Sequence, residues 1–211
     1  MTTNELLLRA KGAKAAMAAA GTDAKNRALL SMASELLAEQ EAILSANALD
    51  LEAARGTVSD VMLDRLALDP GRIAGMAEGI RQVAALPDPV GEELARVERP
   101  NGLVIRRVSV PMGVIAIIYE SRPNVTSDAA ALALKAGSAC VLRCGKEAHR
   151  SAAAIVSALK KGLEEAGLPA DAIQLVEDTS RASANELMCA RGLVDLLIPR
   201  GGAGLIRSCV D

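Results

Sequence analysis

Residues 113–148 read GVIAIIYESRPNVTSDAAALALKAGSACVLRCGKEA, and their pattern predicts the class of fold. The run VIAIIY is apolar throughout, which is typical of a strand that is buried on both faces of a parallel sheet. A helix is predicted from about Thr126 to Lys135, with Gly137 closing it, and ACVLR is predicted to be the next strand. A strand, a helix and a second strand in this order predict one β-α-β unit.

The same alternation continues along the rest of the chain. After the turn CGKEA, a helix is predicted from about His149 to Ala166. AIQLVE and LVDLLIP are predicted to be two further strands, each followed by a polar turn and a helix. Residues 113–211 are therefore predicted to form an α/β domain, a parallel sheet with flanking helices and right-handed crossovers.

Residues 1–86 differ in sequence pattern from residues 113–211 and are predicted to form an N-terminal helical layer that packs on the α/β domain. NELLLRAKGAKAAMAAA is one helix, and KNRALLSMASELLAEQEAILSANALDLEAARG is predicted to be a second. A third helical segment begins near Ser59, and Pro70 divides it, with Asp69 as the cap of its second part. Nothing in this layer points to chemistry.

Residues 87–112 are predicted to be a connector and an edge strand. LPDPVGEE is rich in proline, as connectors often are. NGLVIRRVSVPMG reads as an edge strand or ribbon, because Pro111 near its end is incompatible with a central strand position.

The composition excludes several classes of protein. The chain has no Phe, no Trp and one Tyr, and its net charge is −2, so neither base stacking nor charge favours nucleic acid or anionic membranes. No apolar run reaches the roughly 18 residues of a membrane span, and the N-terminus lacks the apolar stretch of a signal peptide. We expect a cytoplasmic protein that binds neither nucleic acid nor membrane.

The cysteines do not indicate a metal site. Cys140, Cys144, Cys189 and Cys209 form no CxxC pair, and His149 is the sole histidine, so a zinc site is not predicted. Free cysteines in a cytosolic protein are most often small core residues, and we expect that of these four.

Three polar turns, ESRPN, CGKEAHR and PRGGAG, follow predicted strands. In an open parallel sheet, ligands bind beyond the carboxyl ends of the strands. Gly201, Gly202 and Gly204 would let backbone amides approach a phosphate at a helix N-terminus, although glycines also serve a tight strand-to-helix turn. The pattern is neither GxGxxG nor a Walker motif.

The basic residues of CGKEAHR suit a nucleotide. Lys146 is placed to hold a ribose hydroxyl or a phosphate, and the alternative is a solvated surface lysine. His149 with Arg150 would suit an additional phosphate on a nucleotide ribose. The alternative for His149 is an imidazole that is satisfied elsewhere or exposed.

Asn124 follows the first buried strand, behind Pro123, which favours an extended approach. A side-chain amide fixed at a strand end is the donor that an oxyanion hole needs for acyl chemistry. Asn is also favoured as a helix N-cap, but Thr126 or Ser127 could take that place and leave Asn124 free. The residues alone leave both interpretations open.

The stretch at 113–148 and the later VDLLIPRGGAGLIR resemble the γ-glutamyl phosphate reductases of the aldehyde dehydrogenase superfamily. Weaker motifs extend the resemblance over nearly the whole chain. It implies an aldehyde dehydrogenase-like fold whose Rossmann-type domain, residues 113–211, binds NADP. It implies an oxidoreductase of proline biosynthesis that converts the small-molecule acyl phosphate L-glutamyl 5-phosphate to L-glutamate 5-semialdehyde with NADPH. A homo-oligomer is implied for the full-length enzyme.

The resemblance also assigns roles at the acyl end of the site. Asn124 matches the oxyanion-hole asparagine of the superfamily. Ser121 and Arg122 lie along the cofactor and substrate entrance, with Ser121 on the cofactor side. We expect Arg122 to contact the acyl phosphate or a carboxylate, since a guanidinium fork suits either.

At the cofactor end, Lys146 matches the lysine that holds the adenosine ribose. His149 falls where the superfamily often places the residue that discriminates NAD from NADP. Gly201 and Gly202 match the turn beside the cofactor pyrophosphate.

Two departures from the family pattern matter. Cys144 stands where the family usually has a glycine, and the GNCH-like motif of the catalytic cysteine does not occur in these 211 residues. Cys144 and Cys209 are poor replacements, so we expect an N-terminal portion of the enzyme that is inactive alone. The alternatives are a non-catalytic nucleotide-binding or interaction module, and a relative that acts on another acyl substrate.

Overall fold

The structure, a computed structural model, describes residues 1–210, which form nine α-helices and six β-strands. The helices are α1 (Thr3–Ala19), α2 (Thr22–Ala38), α3 (Gln40–Ala54), α4 (Asp60–Leu66), α5 (Pro70–Ala85), α6 (Asn124–Lys135), α7 (His149–Glu165), α8 (Arg181–Met188) and α9 (Ala203–Val210). The strands are β1 (Glu93–Glu98), β2 (Val104–Val108), β3 (Val114–Tyr119), β4 (Ala139–Arg143), β5 (Ile173–Leu175) and β6 (Leu196–Arg200). Lys146–Ala148 and Ala170–Ala172 are single 3₁₀ turns.

The predicted parallel sheet is confirmed. It has four strands in the order β5-β4-β3-β6, all parallel, and every residue of the apolar strand β3 is buried. The chain moves from β3 through β4 to β5 and then returns to the other side of β3. The strand order therefore reverses between β3 and β6, where ligands of such sheets usually bind.

The helical layer differs from the prediction at one point. The second predicted helix is in fact two, α2 and α3, with a break at Glu39, whose φ is −91° and ψ 14°. The residues around it, LLAEQEAIL, contain no Gly or Pro, so no local signal marked the break. The division at Pro70 is confirmed: Pro70 is the first residue of α5, and Asp69 Oδ1 accepts a hydrogen bond from Arg72 N at 2.7 Å.

Residues 93–108 form an antiparallel ribbon of β1 and β2, separate from the four-stranded sheet. Gly102 has φ +83° at the turn between them, which an L side chain would strain. All residues of both strands are exposed. No strand was predicted for the charged stretch ELARVE, which lies within the range 87–112 predicted as connector and edge strand. Within residues 1–210, no helix combines the length and the apolar character that a membrane span needs.

The helical layer and the sheet share one aliphatic core. Met17, Leu29 and Met32 from the layer are fully buried in the same cluster as Ala116 and Leu142 of the sheet. Helix α2 lies between α5 and α7. The N-terminal segment is therefore built into the hydrophobic core of the α/β unit.

A buried charge cluster fastens the connector to this core. Lys25 is fully buried, and its Nζ lies 2.7 Å from Asp88 Oδ1 and 3.2 Å from the carbonyl oxygen of Lys135. Lys135 is also buried, and its Nζ donates to Asn26 Oδ1 at 2.7 Å and to Ala84 O at 2.8 Å. Desolvation by burial lowers the pKa of Lys135. The cluster joins α2, α6 and the connector.

Candidate active site

The turns that follow β3 and β4 are joined by a hydrogen bond. Ser121 Oγ donates to Glu147 Oε2 at 2.9 Å. Gly145 lies against this pair: a Cβ there would be 3.0 Å from both Ser121 Oγ and Glu147 Oε2. A side chain at position 145 would press against this hydrogen-bonded pair, so glycine lets the two turns pack closely.

A cavity of about 780 Å³ opens beside these turns and is bounded by α8 and α9; we call it the α8–α9 cavity. Its polar lining comes from both the strand ends and the helices: Glu120, Ser121, Arg143, Glu147, Arg181, Asn185 and Ser208. Gly145 and Gly204 also line it. Ligand-binding clefts usually have volumes of about 300–1,000 Å³, so this cavity has the size of a binding site.

Arg143 carries an unsatisfied polar atom at the wall of this cavity. Its Nη2 donates to the carbonyl oxygens of Thr179 at 2.7 Å and Ser180 at 2.8 Å. Its Nε is buried and has no hydrogen-bond partner in the part of the chain that the structure describes. Leaving a buried donor unpaired costs about 1–3 kcal/mol.

A second cavity, of about 530 Å³, lies where the ends of β3 and β6 meet, and we call it the arginine cavity. It is lined by Arg65, Arg122 and Arg200 and by the predicted glycine turn, Gly201 and Gly202.

The glycine turn already binds a carboxylate. Gly202 N donates to Glu120 Oε1 at 3.1 Å, so Glu120 occupies an amide that the turn was expected to offer to a phosphate. A Cβ on Gly201 would lie 2.8 Å from the same oxygen, which shows how closely Glu120 approaches the turn.

Asn124 borders a third cavity, of about 540 Å³, which we call the asparagine cavity. Asn124 is the first residue of α6, which begins two residues earlier than predicted, and the cap residue is Pro123 without a side-chain cap bond. The N-cap alternative is therefore wrong. The exposed amide makes one long hydrogen bond, from Nδ2 to Asp128 Oδ2 at 3.4 Å, and burial raises the pKa of Asp128.

The basic residues after β4 lie beside the α8–α9 cavity and not in its wall. Lys146 is exposed in the 3₁₀ turn between Gly145 and His149. His149 is half-buried, with Nε2 3.3 Å from the carbonyl oxygen of Val176. Arg150 faces the helical layer, where its Nη1 is 3.4 Å from Asp50 Oδ1, so its charge is engaged away from Lys146.

Five arginines of these cavities were missed by sequence reasoning: Arg65, Arg72, Arg143, Arg181 and Arg200. Arg143 is the last residue of β4, so its place at the carboxyl end of a strand was an available signal. Arg65 comes from α4, in the layer to which the sequence assigned no chemistry, and it lines both the arginine cavity and the asparagine cavity.

Burial disfavours the thiolate form of three of the four cysteines. Cys140 and Cys144 are buried, as predicted, and desolvation raises the pKa of each thiol to about 12. Burial also raises the pKa of the half-buried Cys209. Cys189 is exposed at the C-cap of α8, so the prediction of a core residue is wrong there.

Among the described residues, no three or more His, Cys, Asp or Glu side chains are grouped as metal ligands.

The family model of the aldehyde dehydrogenase family matches residues 2–202. The chain belongs to the aldehyde dehydrogenase family. Among curated members of this family, the γ-glutamyl phosphate reductase of Streptococcus pneumoniae (strain ATCC 700669 / Spain 23F-1) is 57% identical over all 211 residues. The match covers 50% of that relative, so the chain spans about half the length of the curated relatives it matches.

Solved structures of aldehyde dehydrogenase family members confirm the predicted fold. The crystal structure of γ-glutamyl phosphate reductase from Thermotoga maritima matches with a TM-score of 0.98 and 40% identity, over 100% of this chain and 51% of that one. The Saccharomyces cerevisiae enzyme of the same name matches with a TM-score of 0.88 and 29% identity, over 99% and 53%. A probable aldehyde dehydrogenase from Listeria monocytogenes EGD-e, at 15% identity and a TM-score of 0.77 over 99% and 43%, shares the fold.

Proposed function

We propose that this chain is the cofactor-binding half of an NADPH-dependent γ-glutamyl phosphate reductase. The reaction is the reduction of L-glutamyl 5-phosphate to L-glutamate 5-semialdehyde, in the cytoplasm, for proline biosynthesis. The observation that carries the proposal is the α8–α9 cavity at the carboxyl edge of the sheet. It lies in a chain whose full length matches relatives of that name at 57% identity. In this proposal, residues 113–211 are the NADP-binding domain, residues 87–112 the connector and residues 1–86 the layer that packs on it.

The residues of the α8–α9 cavity fit a nucleotide. Arg143, which lines the cavity, would donate to a ribose hydroxyl or a phosphate, and Ser121 and Glu147 line it beside Gly145 as a hydrogen-bonded pair. Lys146 would hold the ribose from the rim, and His149 would contact the 2′-phosphate. When bound, the nicotinamide supplies the hydride that reduces the acyl carbon.

The acyl end of the site lies at the asparagine cavity. There the exposed Asn124 amide is free to donate to an oxyanion that develops on the acyl carbon. Arg122, which lines the same cavity, would bind an oxyanion group of the substrate through its guanidinium fork. In this assignment Asn124 is a catalytic residue and Arg122 a substrate-binding residue.

Cofactor affinity tests the proposal. By calorimetry on the 211-residue chain, we expect NADPH to bind more tightly than NADH, and Lys146→Ala to weaken NADPH binding about ten- to a hundredfold. The expectation follows from charge-assisted hydrogen bonds, which contribute about 1.5–3 kcal/mol each. Lys161→Ala is the matched control, an exposed lysine of α7 that pairs with Glu39. Equal affinities for NADPH and NADH, unchanged in Lys146→Ala, would contradict the assignment.

Residues 1–211 alone should show no NADPH-dependent reduction of the acyl phosphate and no oxidation of the semialdehyde. A thiolate nucleophile is needed for covalent acyl chemistry, and the pKa values of about 12 for Cys140 and Cys144 leave almost no thiolate at pH 7. Steady-state absorbance at the NADPH band measures the rate. Turnover that disappears in Cys144→Ser or Cys209→Ser would refute this expectation.

The ribbon supports the assembly part of the proposal, a homo-oligomer of the full-length enzyme. Leu94, Val97, Val104, Ile105 and Val108 are 44–51% exposed on β1 and β2. Apolar side chains on both strands of a ribbon that stands apart from the sheet are typical of a surface that a partner subunit covers.

A further inference from the structure

Arg65 and Arg122 each line both the arginine cavity and the asparagine cavity, and Arg200 lines the first. All three are exposed. Within residues 1–210, none of their guanidinium groups makes a hydrogen bond or an ion pair. The neighbouring Arg72 differs, because its Nη2 lies 2.8 Å from Asp64 Oδ1. Three cationic side chains therefore meet at one cleft with their donors unused.

The backbone that carries Arg65 is held from the inside by Asn47. Asn47 is 1% exposed, and its Nδ2 donates to the carbonyl oxygen of Leu66 at 2.9 Å. Its Oδ1 accepts from Leu68 N at 2.8 Å, and the same Nδ2 lies 3.0 Å from Ser151 Oγ of α7. The buried amide thus ties the end of α4 to the helix that follows β4.

From the outside, the same segment is held by Arg72. Its Nη1 donates to the carbonyl oxygen of Ala67 at 2.7 Å and also to that of Asp64. Arg65 is thus displayed on backbone that is anchored on both sides. Anchoring lowers the ordering cost that a ligand would otherwise meet on binding.

The charge of the arginine cavity favours an anion. Three guanidinium groups line it against one carboxylate, Glu120, whose Oε1 already accepts the hydrogen bond from Gly202 N. Guanidinium groups bind phosphoryl and carboxylate oxygens bidentately and stay charged at all relevant pH values.

We propose that Arg65 is a substrate-binding residue that acts with Arg122 and Arg200 to hold a phosphoryl or carboxylate group of the substrate in the arginine cavity. The helical layer then contributes directly to substrate recognition. The inference rests on the proposed function in taking an acyl phosphate that also carries a carboxylate as the ligand.

Two-dimensional NMR of the ¹⁵N-labelled 211-residue chain tests this, with inorganic phosphate and L-glutamate as separate probes in the presence of NADPH. We expect saturable shifts of the Gly201 and Gly202 amides. Arg65→Gln should weaken the binding of one probe about ten- to a hundredfold, as the loss of one charge-assisted contact predicts. Arg55→Gln is the matched control, an exposed arginine of the same layer that lines none of the three cavities.

The two probes identify the source of the anion. If Arg65→Gln weakens phosphate binding and leaves glutamate binding unchanged, the cavity is a phosphoryl site. If it weakens glutamate binding and leaves phosphate binding unchanged, the cavity is a carboxylate site. The inference is overturned if neither probe binds, or if Arg65→Gln behaves as Arg55→Gln does. It is also overturned if Arg65→Gln weakens NADPH as much as phosphate, because the cavity would then hold the cofactor. Saturable, Arg65-dependent phosphate binding in a chain that binds no NADPH would refute the proposed function and leave the anion site standing.

Discussion

Replacing Asp88 by asparagine is expected to lower the free energy of unfolding by about 3–5 kcal/mol at pH 7. Breaking a buried ion pair by removing one partner costs this much, because the other charge stays buried without compensation. Lys25 has no exposed surface, and its Nζ lies 2.7 Å from Asp88 Oδ1. In the variant, the ammonium groups of Lys25 and Lys135 would remain buried without a carboxylate to compensate their charge.

The stability lost in Asp88→Asn, relative to wild type, should become smaller as the pH falls. Burial alone would raise the pKa of Asp88, but hydrogen bonds from Lys25, Thr22 and the Val90 amide lower it to about 2. An unfolded aspartate has a pKa of about 3.9, so the pair contributes roughly 2.5 kcal/mol above that value, and the contribution is lost as the pH falls towards 2. The difference in stability between wild type and Asp88→Asn should therefore narrow below about pH 4.

Asp64→Asn is the matched control for burial. Asp64 Oδ1 lies 2.8 Å from Arg72 Nη2, nearly the same distance, but its side chain is 73% exposed. Exposed ion pairs contribute about 0–1 kcal/mol, so this variant should unfold almost as the wild type does. Urea unfolding at pH 7 and at pH 3 measures both effects. Equal losses in the two variants would show that burial is not what makes the Asp88 pair strong.

Gly162→Ala is expected to lower the free energy of unfolding by about 3 kcal/mol or more, although alanine is the better helix former. Gly162 lies where α7 touches α2, and a Cβ there would be 2.5 Å from Met32 N and 2.6 Å from Met32 Cα. Backbone atoms cannot rotate away as a side chain can, so the two helices would have to separate.

Gly12→Ala provides the same substitution without the contact. Gly12 lies within α1, and apart from the backbone of α1 itself no atom is within 4 Å of the position that its Cβ would take. This variant should gain about 0.5–1 kcal/mol, because alanine loses less entropy than glycine on entering a helix. Thermal unfolding should place Gly162→Ala roughly 6–12 °C below wild type and Gly12→Ala a few degrees above it. A rise in melting temperature for both would mean that α2 and α7 can move apart freely.

Much of the α/β architecture could be predicted because its signals are local. The apolar run of β3 requires burial on both faces, and Gly137 takes φ +67° at the end of α6. Asp69 and Pro70 likewise mark the start of α5 by their own geometry. In contrast, neither the break at Glu39 nor the strand β1 has such a signal, since packing partners decide both.

The candidate site likewise has features that local sequence signals predict and features that they do not. The polar turns after β3, β4 and β6 could be predicted from the sequence, because each turn adjoins its own strand. Three contacts, in contrast, depend on tertiary packing: Ser121 bonds to Glu147, Glu120 accepts a hydrogen bond from the glycine turn, and Arg150 faces Asp50. Tertiary packing also brought Arg65 to the same cavity as Arg200, 135 positions along the chain. The physical reason is that strand and turn propensities act between near neighbours, whereas side chains far apart in sequence meet only once the shared core has packed α4 and the sheet together.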